Sequence, residues 1–290
     1  MAKKFGLSYF LKVENSNGDM VEITMPFSVQ FSVQRSITGG ANSAHFTLFN
    51  LAETTRNVLY KDQYSMEYRV AQMFAGYEDG AKTLLPMIFN GTVRVSQSAR
   101  NGIDFITEIE CFDGAFAMTS GKTAIVAAAG QAMKDTLKDL MSNLPGVTGS
   151  TVGGGYETEN KRGNIMFGNP VEYLKLLSQN RFFIDQNHAY VLADNETIKG
   201  DIETIDASTG LIGAPKKSNT LVEVETIFEP RIQIAQTLEL ISTTNKRLNG
   251  IYKVLECNHS GMISPTVSSS VTTQLKLYKD PNGSFIEVPK

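Results

Sequence analysis

The chain has 290 residues, of which 41% are hydrophobic and 20% are charged, and its formal net charge is −3. This length is enough for two or three packed units or for one large β domain, and the composition is that of a folded protein. A protein that neutralises phosphates is expected to be more basic, so the charge argues against a dedicated nucleic-acid binder. It leaves open a channel through which DNA merely passes.

The N-terminal sequence predicts neither a secretory signal nor a membrane anchor, because the basic residues Lys3 and Lys4 are followed by no apolar run. We therefore expect the protein to be made and assembled in a cytoplasm. Its two cysteines, Cys111 and Cys257, lie in strand-like segments of different halves. We interpret them as buried free thiols, with a disulfide between them left open.

The first part of the chain alternates apolar and polar residues in the manner of antiparallel strands. Strand-like runs begin at Phe5, Val21, Phe27 and Ala44. The dipeptide Asn17-Gly18 predicts a hairpin turn between the first two runs, because both residues accept a positive φ.

A short helix is then predicted over residues 50–61, with Asn50 as its N-cap and Glu53 reaching back in a capping box. Further strands are predicted to begin at Met66, Leu84 and Ile103. Roughly seven strands and one helix indicate a first β-barrel over residues 1–115.

Residues 116–200 have a different pattern and predict a small α+β insert. Apolar residues at helical spacing between Met133 and Leu144 predict one helix, and Asn169-Pro170 predicts the start of a second. Residues 149–163 include three consecutive glycines and are predicted to form a long exposed loop. A small hairpin is expected over residues 182–192.

Residues 201–290 predict a second antiparallel β unit. Four alternating runs follow a turn-rich segment that begins at Thr209. The residues expected to share a face within each run are Val222, Val224 and Phe228; Ile232, Ile234, Leu238 and Leu240; Tyr252 and Val254; and Val271, Thr273, Leu275 and Leu277. Four strands in so short a segment indicate a second closed or nearly closed barrel.

Motifs for catalysis and cofactor binding are incomplete in this sequence. Gly121-Lys122-Thr123 ends like a phosphate-binding loop, but Phe116 occupies the position where that motif needs its first glycine. Cys257 and His259 alternate along one predicted strand without partners at zinc spacing. We therefore predict that the protein is not an enzyme and that it has no cofactor and no metal site.

Four segments of the C-terminal part carry a resemblance to a known family. They are residues 209–217 (TGLIGAPKK), 221–242 (LVEVETIFEPRIQIAQTLELIS), 249–264 (NGIYKVLECNHSGMIS) and 271–278 (VTTQLKLY). In order and spacing they resemble the C-terminal barrel of phage tail baseplate hub proteins. That family is related to the hub part of type VI secretion spike proteins and to late-control D-type tail proteins. Residues 41–62, read as a strand and a short helix, extend the resemblance to the N-terminal part.

The positions that we expect to carry the family's structural pattern are Gly210, Gly213, Pro215, Pro230 and Gly250. One departure is Ala235, because the family pattern has glycine at this point, before the next strand. The resemblance therefore leaves the tight turn at Ala235 open.

The resemblance implies a mainly β fold with two antiparallel barrels of tail-tube type joined by the insert. It implies a structural homotrimer in which two barrels per chain give six similar units, so that a six-fold tail tube can meet a three-fold spike or central fibre. Tail tube, spike or fibre, and tape measure proteins are the expected partners, with DNA passing without specific binding. The expected location is the virion tail tip, with the insert facing outward or reaching neighbours.

Glu223 and Glu225 are the candidate functional residues, since they alternate along one face of a predicted strand. One hypothesis is that this face lines a channel and keeps it acidic, and an ordinary solvated face explains the alternation equally well. Two other functions stay open. A receptor- or saccharide-binding module predicts aromatic residues on exposed loops, and a cell-wall hydrolase predicts carboxylates that converge in a cleft.

Overall fold

The computed structural model describes residues 6–38, 40–78, 85–281 and 283–289, and its fold is mainly β. The strands are β1 Leu7–Glu14, β2 Met20–Thr24, β3 Val29–Ser36, β4 Asn42–Phe49, β5 Val70–Tyr77, β6 Met87–Asn101, β7 Asp104–Asp113, β8 Thr123–Ala127, β9 Gly149–Val152, β10 Asn164–Gly168, β11 Phe182–Asp185, β12 His188–Val191, β13 Glu196–Ile198, β14 Glu203–Ile205, β15 Leu211–Ser218, β16 Leu221–Ile227, β17 Thr237–Leu240, β18 Gly250–Ile263, β19 Ser270–Tyr278 and β20 Ile286–Val288. The α-helices are α1 Glu53–Leu59, α2 Ala115–Ser120, α3 Met133–Ser142 and α4 Pro170–Leu177. The strand starts predicted at Phe5 and Leu84 lie outside the described residues.

One large sheet runs through both ends of the chain. Its antiparallel path has the order β15-β16-β19-β18-β3-β4-β7-β6-β5-β1-β2, and β17 joins it beside β18. The long strand β18 is central to this arrangement, because its first residues pair with β17 and its later residues pair with β3. The two ends of the chain are therefore parts of the same sheet.

The sheet curls around its apolar side in the N-terminal part. Phe31 on β3 and Tyr77 on β5 are separated by the strands β4, β7 and β6, yet each ring lies 6.2 Å from the ring of Phe228. Within the described residues β15 and β2 end the path without pairing to each other, so no closed barrel is found. The predicted mainly β, antiparallel class is confirmed, in the form of a curved and continuous sheet.

The described residues form three hydrophobic clusters. One lies beneath the N-terminal strands, one beneath the C-terminal strands and one inside the α+β part. Phe228, Ile263 and Val271 come from the C-terminal part but pack in the N-terminal cluster, so the two ends share side chains. The unit boundaries at residues 115/116 and 200/201 remain a prediction.

The segment expected to be a long exposed loop is largely ordered and partly buried, so that prediction was wrong. Gly149–Val152 forms β9, which pairs in parallel with β12. The Glu196 carboxylate packs against Gly153 and accepts hydrogen bonds from the N–H groups of Gly155 (2.9 Å) and Ala193 (2.7 Å). The glycines therefore serve a close approach between two segments, which composition alone does not distinguish from flexibility.

Asn50 does not cap α1, contrary to the prediction. Ala52 precedes the helix and makes no side-chain cap, whereas Asn50 adopts a left-handed φ of +55°. Its Oδ1 accepts from the N–H of Phe105 (2.9 Å), and its Nδ2 donates to Asp104 (2.8 Å). The asparagine thus bonds to β7, because its short amide can serve either a helix end or a neighbouring strand.

Strand limits were also misjudged in two places. The strand predicted from Met66 begins at Val70, and Met66 is 94% exposed. The run from Ile232 to Leu240 is strand only from Thr237, since a turn at Ala235 interrupts it.

Position 235 forms the tight turn that the family pattern associates with glycine, although the residue here is alanine. Ala235 adopts a φ of +62°, donates its N–H to Val254 (2.8 Å) and accepts from the N–H of Ile198 (2.8 Å). These two backbone bonds and complete burial of the side chain hold a conformation that alanine rarely adopts.

Candidate functional site

A continuous polar surface covers the side of the sheet opposite the N-terminal and C-terminal hydrophobic clusters. Alternation along β16 buries Val222 and Val224 and directs Glu223 and Glu225 to the other side. We call this surface the polar face and define it by Glu223, Glu225, Thr272, Gln274, Lys276, Glu256, Asn258, Ser260, Ser32, Gln34, Ser43, His45, Glu108 and Glu110.

Strand register makes the polar face continuous across both halves of the chain. Glu225, Gln274, Asn258, Gln34 and Ser43 are successive partners on β16, β19, β18, β3 and β4. Amide and hydroxyl side chains predominate in this row. Residues distant in sequence are thus brought together by the pairing of β18 with β3.

Charges on the polar face are mainly acidic and partly paired. Lys276 lies between Glu223 on β16 and Glu256 on β18, and its Nζ is 2.8 Å from the Glu256 carboxylate. The hydrogen bond from Lys276 to Glu256, together with the carboxylate charge, raises the pKa of Lys276. At the other end of the face Arg94 contacts Glu110 at 3.2 Å. Lys216 on β15 is the cross-strand partner of Glu223. Glu225 faces Ile212 and Gln274 across its neighbouring strands, so the face still has more carboxylates than cations.

A shallow cavity of about 400 Å³ opens where β15 bulges away from β16. The bulge lies between Ile212 and Lys216, and Gly213 within it has a φ of +69°. Both candidate glutamates line the cavity with Gly213. The structure therefore brings Glu223, Glu225 and Gly213 together, and Pro215 lies in the same bulge.

Gly210, Pro230 and Gly250 lie elsewhere and shape the backbone. Gly210 has a φ of +113°, and a Cβ there would overlap the side chain of Ile227. Its carbonyl oxygen accepts from the N–H of Ile227 and the hydroxyl of Thr226, both at 2.9 Å. Gly250 opens β18 with a φ of +145°, and Pro230 is buried in the turn that follows β16.

Sequence analysis missed a buried polar cluster where the α+β part meets the large sheet. We call it the polar junction and define it by Arg35 on β3, Asn42 on β4, Asp113 on β7 and Asp185 on β11. The Arg35 guanidinium donates to both Asp185 oxygens, at 2.8 Å from Nε and 2.6 Å from Nη2. Arg35 follows Val29, Phe31 and Val33 at every second position of β3, so its side chain points to the buried side of the strand. This position was the sequence signal from which a buried charge could have been predicted.

The remaining bonds of the polar junction tie a hairpin turn to the sheet. Asn42 Nδ2 donates to Asp113 (3.3 Å), Asp185 (3.1 Å) and the carbonyl oxygen of Ile184 (3.1 Å). The Asp113 carboxylate accepts from the N–H groups of Gln186 (2.6 Å) and Asn187 (3.0 Å). These two residues form the turn between β11 and β12 and have positive φ values of 52° and 60°.

The surroundings of Cys257 and His259 are those of residues with a structural role. His259 is fully buried, and its Nδ1 shares a 2.9 Å hydrogen bond with the Thr273 hydroxyl. Burial, followed by the charge of Arg35, lowers the pKa of His259 to about 3. Both cysteines are buried free thiols, as expected. Across the described ranges no group of three or more His, Cys, Asp or Glu side chains is placed to hold a metal ion.

The α-helices of the described chain include none with the length and apolar composition needed to cross a membrane.

Solved structures with the same fold are phage tail and secretion proteins. A tail protein from Neisseria meningitidis MC58 is 9% identical, with 97% of this chain and 100% of that chain covered at a TM-score of 0.64. The 43 kDa tail protein of prophage MuSo2 from Shewanella oneidensis is 8% identical, with 93% and 98% covered at 0.59. A type VI secretion component of E. coli, described as structurally similar to T4 tail proteins gp27 and gp5, is 7% identical, with 90% and 76% covered at 0.55.

These similarities define the fold class, which is that of phage tail proteins and related secretion spikes. The profile of the baseplate hub gp41 family matches residues 10–260, so the chain belongs to this family. No curated protein sequence matches the chain. The chain is therefore a structural, β-rich baseplate hub protein and a component of a virion tail.

Proposed function

We propose that the chain forms a homotrimeric ring that joins a six-fold tail tube to a three-fold spike or central fibre. The observation that carries this proposal is that the polar-faced sheet takes one group of strands from each end of the chain. On its path, β15, β16, β19 and β18 come from the C-terminal part, and β3, β4, β7, β6, β5, β1 and β2 come from the N-terminal part. Each group covers its own hydrophobic cluster.

Symmetry links this division to the hub role. Two strand groups per chain give six groups in a closed trimer, a number that matches a six-fold tube on one side and a three-fold assembly on the other. The same division supports the proposed units 1–115, 116–200 and 201–290. The polar face would line the channel of the ring, with Glu223 and Glu225 in its wall.

The chemistry of the polar face suits passage of DNA without binding. Amide, hydroxyl and carboxylate groups predominate on this face, and its cations Lys276, Lys216 and Arg94 each lie beside a glutamate, which limits the counterion release that would retain DNA. An acidic wall also repels a polyanion at short range. The continued DNA channel is thus consistent with the surplus of carboxylates on this face.

The proposed partners are a tail tube protein, a spike or central fibre protein and a tape measure protein, at the virion tail tip. The insert offers a surface for such neighbours. Val126, Ile165, Phe167 and Leu176 are 72%, 80%, 78% and 74% exposed. Ile165 and Val126 are directly paired on β10 and β8, and a contiguous apolar surface of this kind is typical of a protein contact.

We also infer that the chain has no catalytic role. The glutamates of the polar face spread along its strands, and Asp113 and Asp185 are buried instead of facing a cleft. A saccharide- or receptor-binding module predicts exposed aromatic residues on loops, and Tyr60, Tyr64 and Tyr68, between α1 and β5, are 53%, 82% and 38% exposed. This binding function therefore stays an alternative to the hub role.

The channel role is tested by reversing charge on the polar face. Glu223→Lys with Glu225→Lys is expected to leave tail assembly intact, because Glu223 is exposed and Glu225 is half-buried on the solvent side of the sheet. Infectivity is expected to fall about tenfold or more, since a basic wall retains phosphates. Plating efficiency and the yield of assembled tails are measured on the same particles.

The matched control for this experiment is Glu157→Lys with Glu159→Lys, which reverses two exposed charges that precede β10 and lie outside the exposed apolar residues of the insert. The control particles are expected to plate like the wild type. Equal infectivity of the two double variants, with equal assembly, would contradict a channel position for the polar face.

A further inference from the structure

The polar junction holds more carboxylate than cationic groups in a buried place. Asp113 is 2% exposed, Asp185 is 6% exposed and Arg35 is 2% exposed. Both carboxylates contact the same amide group of Asn42, so they lie close together. With both ionised, one negative charge would lack a cation, and an uncompensated buried charge is costly.

The bond pattern indicates which carboxylate takes up a proton. The Asp185 carboxylate is held by the guanidinium fork of Arg35, which favours its charged form. Burial alone would lower the pKa of Arg35, but the adjacent Asp185 outweighs burial and the pKa is raised. Asp113 has only neutral donors, namely the N–H groups of Gln186 and Asn187 and the Asn42 amide.

The pKa of Asp113 agrees with this geometry. Burial, followed by the charge of Asp185, raises the pKa of Asp113 to about 7, against the opposing effect of its hydrogen-bond donors. The resulting titration range lies near neutral pH, well above that of an ordinary aspartate.

Four other titratable groups around the polar junction do not change charge near neutral pH. Burial raises the pKa values of the phenols of Tyr68 and Tyr190, and it raises the pKa of the Cys257 thiol to about 12. Burial lowers the pKa of the His259 imidazole to about 3. Asp113 therefore titrates in a range where these four groups do not. His188 opens β12 opposite Asp185, with its Nε2 2.9 Å from the Thr151 hydroxyl, and the substitution of Asp113 separates its contribution from that of Asp113.

We propose that the polar junction is a pH-sensitive latch that holds the β11–β12 hairpin, and with it the α+β part, against the large sheet. In the protonated state the junction carries one carboxylate and one guanidinium, so its charges balance. Loss of the proton leaves a second buried carboxylate, and movement of the hairpin turn away from the sheet admits water to it. Both N–H bonds from the turn end on Asp113, so the turn is the element that responds.

The direction of the pH effect follows from linkage. The pKa of Asp113 is higher in the latched state than in an opened, solvated one, so latching is favoured by protons. The stabilisation of the latched state by the proton on Asp113 is fully present below the ordinary pKa of an aspartate. It is lost as the pH rises through about 7. The inference does not depend on the hub role, because it concerns contacts within one chain.

Hydrogen–deuterium exchange of the full-length protein tests the latch. Protection of the peptide spanning residues 182–191, corrected for the intrinsic exchange rate, is expected to fall tenfold or more between pH 5.5 and pH 7.5. Asp113→Asn keeps one acceptor oxygen but cannot ionise, so the fall is expected to disappear in this variant. The α3 peptide, residues 133–142, serves as an internal reference and is expected to keep its protection.

Asp104→Asn is the matched control, since it makes the same substitution on the same strand at a residue that bonds to Asn50 near the surface. It is expected to retain the pH effect. Should Asp113→Asn fail to fold, His188→Gln decides, because the fall in protection is expected to persist in this variant and its loss there would overturn the latch. Equal protection of residues 182–191 at both pH values in the wild type, or the same fall in folded Asp113→Asn, would overturn the latch.

Discussion

Gly261→Ala is expected to destabilise the folded chain by about 3 kcal/mol or more, because β18 cannot accommodate a side chain at this residue. Gly261 has a φ of +153°, and a Cβ would overlap the carbonyl oxygen of Ser270 and lie 2.6 Å from Cα of Val271. Both atoms belong to the backbone of β19, so neither can rotate away. Relief would require the two strands to separate where β18 also pairs with β3.

Denaturant unfolding of Gly261→Ala beside Gly163→Ala measures this effect. Gly163 has an ordinary φ, and a Cβ there would come no nearer than 3.5 Å to another atom, the carbonyl oxygen of Ala127. We expect the control to change the free energy of unfolding by less than about 0.5 kcal/mol. A loss at Gly261 as small as that of the control would show that the strands tolerate a methyl group there.

Arg35→Ala is expected to cost about 3–5 kcal/mol, the range measured when one partner of a buried ion pair is removed. The substitution leaves the Asp185 carboxylate buried beside Asp113 with no cation. The effect on stability comes mainly from this uncompensated charge, although the intact pair itself contributes little net free energy. The free energy of unfolding at pH 7 is the quantity to measure.

Two comparisons isolate the role of burial in the Arg35 result. Arg181 makes a similar pair with Asp194 at 2.9 Å, but these side chains are 34% and 64% exposed, so Arg181→Ala is expected to cost about 1 kcal/mol or less. Arg35→Met combined with Asp185→Leu removes both charges and is expected to be less harmful than Arg35→Met alone. A double variant as unstable as the single one would contradict the charge argument.

Local sequence patterns identified much of the sheet and the location of its polar face. Alternation along β16 placed Glu223 and Glu225 on the side away from Val222 and Val224, and the structure has them there. The turn at Gly18 was also predicted, and its φ is +85°. These features depend on neighbours in sequence, and such features are the ones that local propensity can reveal.

Features made by distant partners left little trace in the sequence. The pairing of β18 with β3 and the parallel pairing of β13 with β20 join residues that are far apart in the chain. Neither pairing requires a particular residue type at a particular spacing. The order of Gly149–Val152 likewise depends on β12, and without that partner a glycine-rich segment looks like a loop.

The polar junction could be predicted from the sequence only in part. The inward position of Arg35 follows from its parity with Val29, Phe31 and Val33 on β3, so a buried charge was predictable. The identity of its partner was not, because Asp185 lies in the α+β part, 150 residues away in sequence. The alternation of side chains along β3 therefore indicates that Arg35 needs a buried partner. The identity of that partner is seen only in the tertiary structure.

The mass of the purified protein in solution, measured by light scattering, tests the central claim most directly. The account predicts three copies of the 31.8 kDa chain in one particle, either alone or after addition of the neighbouring tail tube or spike protein. A mass of one chain that persists in the presence of both neighbours would contradict the trimeric ring.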